Sequence, residues 1–263
     1  MRADDDLEFS QWVLKVGDGS ANEDVNDHIE LPQRCIVDNS ILDHIFGASL
    51  NMNDYKSYSR KVILTPKNDD CSQLNDQVIE KISGLLKIYE SSDAVVEEDR
   101  NDVLNYPVEF LNSITPAGLP PHILKLKVGC IIMLLRNLNP TVGLCNGIRL
   151  IVRALASRVI DAEIICGSHV GTRVFIPRIR LQPSNSQLPF KFIRLQLAFA
   201  MIINKSQGQT FDKVGIFLPN PVFTYGQLYV ALSRVRRFDD LKIQNFINTT
   251  EQGLTGDKYL TKM

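Results

Sequence analysis

A polar stretch, Asn204–Thr210 (NKSQGQT), lies between two apolar runs, and its residue types suit one kind of ligand. Backbone N–H groups around Gly208, the cation of Lys205 and the hydroxyls of Ser206 and Thr210 can together take phosphate oxygens, of a nucleotide or of a nucleic-acid backbone. Ser, Gln and Gly also make ordinary strand-exit turns, so the loop by itself fits either role. Arg234 follows in a segment patterned as a helix, where a guanidinium could be presented to a γ-phosphate across a domain interface. Read alone, it fits a surface arginine paired with a carboxylate better. Two absences narrow the chemistry. None of the 15 glycines is followed by lysine, so a phosphate-cradling GxxxxGK[ST] loop cannot be drawn. No Asp-Glu pair follows an apolar strand to hold magnesium and orient water. The expectation is one side of a nucleotide site without a self-sufficient hydrolytic centre. His28, His44, His122 and His169 stand on separate segments without partners at ligand spacing, so no metal site is expected. Cys145, in GLCNG, reads as a small buried hydrophobe ahead of a reactive thiol.

The elements that must position these residues are α/β in pattern. Leu195 to Ile203 (LQLAFAMII) is a nearly continuous apolar run of the kind buried in a parallel sheet, and Val214 to Leu218 is a second. Thr224 and Gln227 form a capping box for a helix over Tyr225 to Val235, which puts Gln227 and Arg234 on one flank. Upstream, Val62 opens an apolar run ended by Pro66, and Ser72 to Leu86 carries Leu74, Val78, Ile82 and Leu85 at helical spacing. Between these α/β parts, KLKVGCIIMLLRN, RLIVRALA, VIDAEIIC and RVFIPRI read as short strands divided by turns such as Asn146-Gly147, the pattern of a small inserted barrel. The first sixty residues read as acidic connecting helices and loops with one aromatic island, Phe9 to Val16, and residues 91 to 102 as an exposed acidic loop.

Charge is divided unevenly along the 263 residues. Residues 1 to 102 hold 10 Lys and Arg against 22 Asp and Glu, whereas residues 103 to 263 hold 19 against 8. A positive excess of that size suits a surface that tracks a polyanion, and intramolecular charge matching is the plainer alternative. At 44% hydrophobic and 22% charged residues the chain is neither disordered nor collagen-like. No apolar window is long enough for a membrane span, and MRADDDLEFS lacks the features of a signal peptide, so no membrane partner is expected. The five cysteines form no CxxC pair or disulfide framework, which points to a reducing, intracellular compartment.

Taken together, LKLKVGCIIMLLRNLNPTVGLCNGIRLIV, LAFAMIINKSQGQTFDKVGIFLP and GQLYVALSRVRRFDDLKI resemble the C-terminal half of the Pif-one (petite integration frequency) DNA helicases, most of all those carried by Helitron rolling-circle transposons. VILTPKND and FLNSITPAGLPPHILKLKVG agree with this likeness. The resemblance implies an ATP- and Mg2+-dependent, superfamily-one 5′ to 3′ helicase acting on single-stranded DNA in the nucleus, in a family associated with DNA repair, recombination and telomere maintenance. It implies an α/β fold: a second RecA-like helicase domain at 62–104 and 190–248, with a small SH3-like β-barrel of the 2B type inserted at 105–189. Residues 1–61 become acidic linker and the remnant of a first RecA-like domain, mostly helix and loop, and 249–263 a tail. By position, Thr65, Asn68, Asn204, Lys205 and Ser206 match DNA contacts. Gln207, Gly208, Gln209 and Gln227 match nucleotide contacts, and Arg234 matches the catalytic arginine finger.

Three departures from the family pattern stand out. The first RecA-like domain, with its Walker A lysine, magnesium carboxylates and motif-three glutamine, is missing. FIRLQL, at Phe192 to Leu197, is shorter than in relatives, and Asn204 stands where many relatives outside the transposon group have histidine. Two readings stay open: part of a helicase that needs a first RecA-like domain, and a non-catalytic single-strand-binding module or transposon fragment.

Overall fold

The computed structural model describes residues 6–21, 28–51, 54–90, 123–177, 195–219, 225–245 and 259–261. In chain order the elements are α1 (Leu7–Asp18), β1 (His28–Glu30), α2 (Ile41–Phe46), α3 (Lys56–Ser59), β2 (Lys61–Thr65), α4 (Asn68–Lys81), β3 (Lys87–Glu90), β4 (Ile123–Leu126), β5 (Ile131–Leu134), β6 (Arg149–Leu155), β7 (Val159–Ile164), β8 (Arg173–Pro177), β9 (Leu195–Leu197), β10 (Ala200–Ile202), β11 (Lys213–Leu218), α5 (Tyr225–Leu232), β12 (Leu241–Asn245) and β13 (Tyr259–Thr261). They divide into two compact units, one of residues 1–50, 56–81 and 199–263, the other of residues 51–55 and 82–198. Among the described residues no helix is long and apolar enough to cross a membrane.

The first unit is built on a four-stranded sheet in the order β10-β2-β11-β12, parallel throughout. Its strands are buried on both faces, which is why Val62–Leu64 and Val214–Leu218 read as apolar runs without alternation. Helix α2 packs on β2, β11 and β12, and α4 on β2 and β10. Gly215 lets α2 lie close, because a Cβ there would stand 2.8 Å from Ile45 Cγ1 and 2.9 Å from Ile41 Cδ1. Both sheet edges are closed. On the β10 side, the buried Asn75 of α4 accepts from Phe199 N (3.2 Å) and Ala200 N (2.9 Å) through Oδ1 and donates from Nδ2 to Ala200 O (2.9 Å). On the β12 side, Val37 N donates to Ile243 O (2.9 Å) and Gln244 Oε1 accepts from Ile41 N (3.2 Å).

The acidic front end, expected as linker and remnant of a preceding domain, belongs to this parallel unit. Asp6 caps α1 by accepting from Phe9 N (2.9 Å), and Gly19, at φ 73°, ends it. The buried stripe Phe9, Val13 and Val16 explains the inclusion, since Phe9 meets Phe238 edge-on at 5.0 Å and α1 packs on α5. The helix expected over Ser72 to Leu86 runs from Asn68 to Lys81, opening with Asp69 and Asp70 in its first turn, where the helix dipole favours acids.

The second unit holds a five-stranded antiparallel sheet in the order β8-β7-β6-β5-β9 and a two-stranded ribbon of β3 and β4. The bounds expected at 105 and 189 fall instead at 82 and 198. Strand pairing is the reason: Lys87–Glu90 pairs with Ile123–Leu126, and Leu195–Leu197 pairs with Leu134–Ile132. For the same reason LQLAFAMII is two strands. Its first part is antiparallel to β5 and its second parallel to β2, and both are so buried that the sequence shows no break. Arg149, also buried, donates from Nη2 to Ala198 O (3.0 Å) next to this break, and burial pushes its pKa down to about 10. On the same sheet, Arg153 binds Glu163 by Nε (3.0 Å) and Nη2 (2.8 Å) and lies 4.1 Å over the Tyr55 ring.

Candidate functional site

In open parallel sheets the crevice beyond the carboxyl ends of the strands is where ligands bind, and eight of the ten sequence-selected residues lie on the two segments that leave adjacent strands there. Thr65 ends β2 directly opposite Ile202, the last residue of β10. The buried Thr65 hydroxyl donates to Lys67 O (2.8 Å), turning the chain past Pro66 into α4, whose first residue is the exposed Asn68. From Ile202 the chain enters a short 3-10 helix, Ile203–Ser206, which exposes Asn204 and half-buries Lys205. Burial lowers the Lys205 pKa, and the nearby Cys71 thiol is pushed up to about 12 by its own burial.

The loop then closes as a type II turn. Gln207 has φ −56° and ψ 131°, Gly208 has φ 80°, and Gln209 N donates to Ser206 O (3.0 Å). Only a residue free to take positive φ fits the third position without strain, which accounts for Gly208. Ser206 is buried and its hydroxyl donates to Ile203 O (2.6 Å), while Gln209 Nε2 donates to Lys205 O (3.2 Å). The turn tip, Gln207 and Gly208, faces solvent.

Arg234 joins this loop by a route different from the one expected. Helix α5 stops at Leu232, so Arg234 lies beyond it, and the shared helical flank with Gln227 does not form. The helix is shorter because its end is taken up by side chains: Ser233 Oγ donates to Val230 O (3.0 Å) and so does Arg234 Nε (2.8 Å). The guanidinium then reaches Ser206 O (3.3 Å) and Gln209 O (3.0 Å), and its pKa is lowered by burial. Gln227 is buried on α5, a helix that packs on the 203–206 segment. Thr224, the expected cap, lies outside the described residues. Asn75 and Cys71, whose thiol donates to Ala200 O (3.1 Å), support the strand feeding the loop, and neither was singled out from sequence. The only signal was an Asn beside Leu74 in an otherwise apolar helical stripe.

Chemically, the edge offers a half-buried ammonium, a guanidinium and an exposed turn, which suits phosphate oxygens. Among the described residues no three or more His, Cys, Asp or Glu side chains stand close enough together to hold a metal ion.

Residues 109–155 match the family described as DNA helicase Pif1, 2B domain. Human ATP-dependent DNA helicase PIF1 is 34% identical over 188 residues, covering 70% of this chain and 27% of that protein, and the Danio rerio PIF1 is 33% identical over 190 residues with the same coverage. Over these residues the chain is related to part of the Pif1 DNA helicases. Two solved Pif1 structures overlay on nearly all of it: the Bacteroides helicase in complex with ADP-AlF3 and ssDNA, at TM-score 0.62 and 22% identity over 98% of this chain and 56% of that one, and the Candida albicans helicase, at 0.61 and 21% over 94% and 55%. At these identities they establish the fold, so the parallel unit is the RecA-like α/β fold of Pif1 proteins. The chain spans about a quarter of the length of its curated Pif1 relatives and about half of the solved Pif1 chains. The Pif1 2B match falls within the antiparallel unit and covers β4, β5 and all of β6.

Proposed function

We propose that this chain supplies the second RecA-like domain and the SH3-like 2B insert of an ATP-dependent helicase that moves 5′ to 3′ on single-stranded DNA, of the kind carried by Helitron transposons. The observation carrying this reading is that NKSQGQT and Arg234, far apart in sequence, meet at the carboxyl edge of one parallel sheet. Thr65, Asn68, Asn204, Lys205 and Ser206 would face DNA. Gln207, Gly208, Gln209, Gln227 and Arg234 would face ATP, whose Mg2+ and Walker A lysine a first RecA-like domain would hold. ATP supplies the phosphoryl-transfer energy when bound, and the part of these residues is to hold and orient its phosphates. Repair, recombination, telomere maintenance or transposition in the nucleus are the settings that go with this proposal.

The chain alone is expected to show no ATP turnover above background, with or without single-stranded DNA. An edge lacking the P-loop lysine and metal carboxylates stabilises little transition-state charge. DNA-stimulated hydrolysis that disappears in Arg234→Ala would contradict this.

The surplus of 19 Lys and Arg over 8 Asp and Glu after residue 102 leads to a second expectation. Binding of single-stranded DNA by the chain should be weak and salt-sensitive, with a log-log slope near about −3 if about four phosphates are neutralised. A titration in which affinity is flat in salt would rule out a phosphate track. The alternative, a binding module without ATP chemistry, is favoured by one observation: Arg234 spends its donors on its own loop.

A further inference from the structure

Four hydrogen bonds converge on one guanidinium. Nε of Arg234 donates to Val230 O (2.8 Å) and Nη2 to Ser233 Oγ (2.8 Å), which fixes the group at the end of α5. Nη1 donates to Ser206 O (3.3 Å) and Gln209 O (3.0 Å), the first and last residues of the type II turn. The backbone adds Phe211 N to Arg234 O (3.0 Å). A guanidinium has a fixed fork of N–H donors. Turning Nη1 outward to a phosphate therefore removes it from both turn carbonyls. The tip itself is open, and an added Cβ at Gly208 would meet nothing within 4 Å.

We propose that Arg234 is a two-position clamp: at rest its guanidinium holds the Ser206–Gln209 turn shut, and a polyphosphate that draws the guanidinium outward releases the turn carrying Asn204 and Lys205. This rests on the reading of the loop and Arg234 as parts of one DNA and nucleotide path, and adds how occupancy at one is felt at the other. In this role Arg234 is a positioning residue that acts through the loop, separate from any contact it makes with a reacting phosphate.

Amide hydrogen exchange on the full chain tests the clamp, with Gln209 and Phe211 as reporters and Ile216 of β11 as reference. Arg234→Ala should speed exchange at Gln209 about tenfold or more, the scale of lost charge-assisted bonds, and leave Ile216 unchanged. Arg234→Lys keeps the charge but cannot bracket two carbonyls, so it should exchange nearly as fast. Sodium tripolyphosphate should raise the Gln209 rate of the parent toward that of Arg234→Ala and leave the variant unmoved. Parent-like exchange in both variants overturns the proposal, as does tripolyphosphate that slows the parent or leaves it unchanged. If Arg234→Ala also loses protection at Ile216, the Lys variant and the tripolyphosphate response of the parent decide. Single-strand binding measured on the same samples separates the two readings. The exchange pattern without salt-sensitive DNA binding keeps the clamp and removes the helicase assignment, and the converse removes only the clamp.

Discussion

Fused behind a first RecA-like domain from a Pif1 relative, the chain should lose about a thousandfold or more in kcat for ATP hydrolysis on Arg234→Ala, the scale known for arginine fingers. The guanidinium sits at the carboxyl edge of the RecA-like sheet, already directed along the loop by Val230 and Ser233, where charge developing on a transferred phosphoryl group would pull it. The loss should appear in kcat ahead of KM, because the contact strengthens in the transition state. DNA affinity should fall only severalfold, through the loosened turn. Arg234→Lys should recover little, since an ammonium cannot reproduce the planar fork. Lys205→Ala should act in the opposite sense, weakening DNA binding and its salt slope before basal hydrolysis. An Arg234→Ala fusion that hydrolyses ATP at the parent rate would leave this arginine only its role in the loop.

Asn75→Ala should cost the full chain about 3 kcal/mol of unfolding free energy, because it strands the buried N–H groups of Phe199 and Ala200 and leaves Ala200 O only the weaker Cys71 thiol as donor. Against a typical stability of about 5 to 15 kcal/mol this is a large fraction. Urea denaturation checks it, with Asn139→Ala as the comparison. Asn139 Oδ1 only accepts from Thr141 Oγ1 at an exposed turn, so that change should stay within about 0.5 kcal/mol. A midpoint for Asn75→Ala equal to that of Asn139→Ala would mean that water or backbone adjustment replaces the amide.

The parallel strands were readable because burial on both faces leaves uninterrupted apolar runs, and α4 because Leu74 and Val78 repeat at helical spacing. The division of Leu195–Ile202 was not, since a strand buried in an antiparallel sheet and one buried in a parallel sheet carry the same composition. Strands β3 (KIYE) and β12 (LKIQN) are short and polar enough that only their partners identify them. Residue types alone marked the loop as one that could take phosphate oxygens; the expectation for Arg234 came with the family resemblance. That Arg234 brackets the loop depends on where α5 ends in space, and helix ends are set here by Ser233 and Arg234 themselves. Asn75 was silent for a related reason: an amide that substitutes for a neighbouring strand leaves no periodic signature.

The closure of both edges of the RecA-like sheet matters beyond this fold's own energy. An unpaired strand edge is a template on which a second chain can add, and a flat apolar one such as Phe199–Ile202 would be prone to polymerise. The amide of Asn75 occupies the Ala200 N–H and C=O that an intruding strand would need, and the Val37 contact occupies Ile243 O on the far side. These contacts leave a second copy of the chain fewer free N–H and C=O groups to pair with along the sheet.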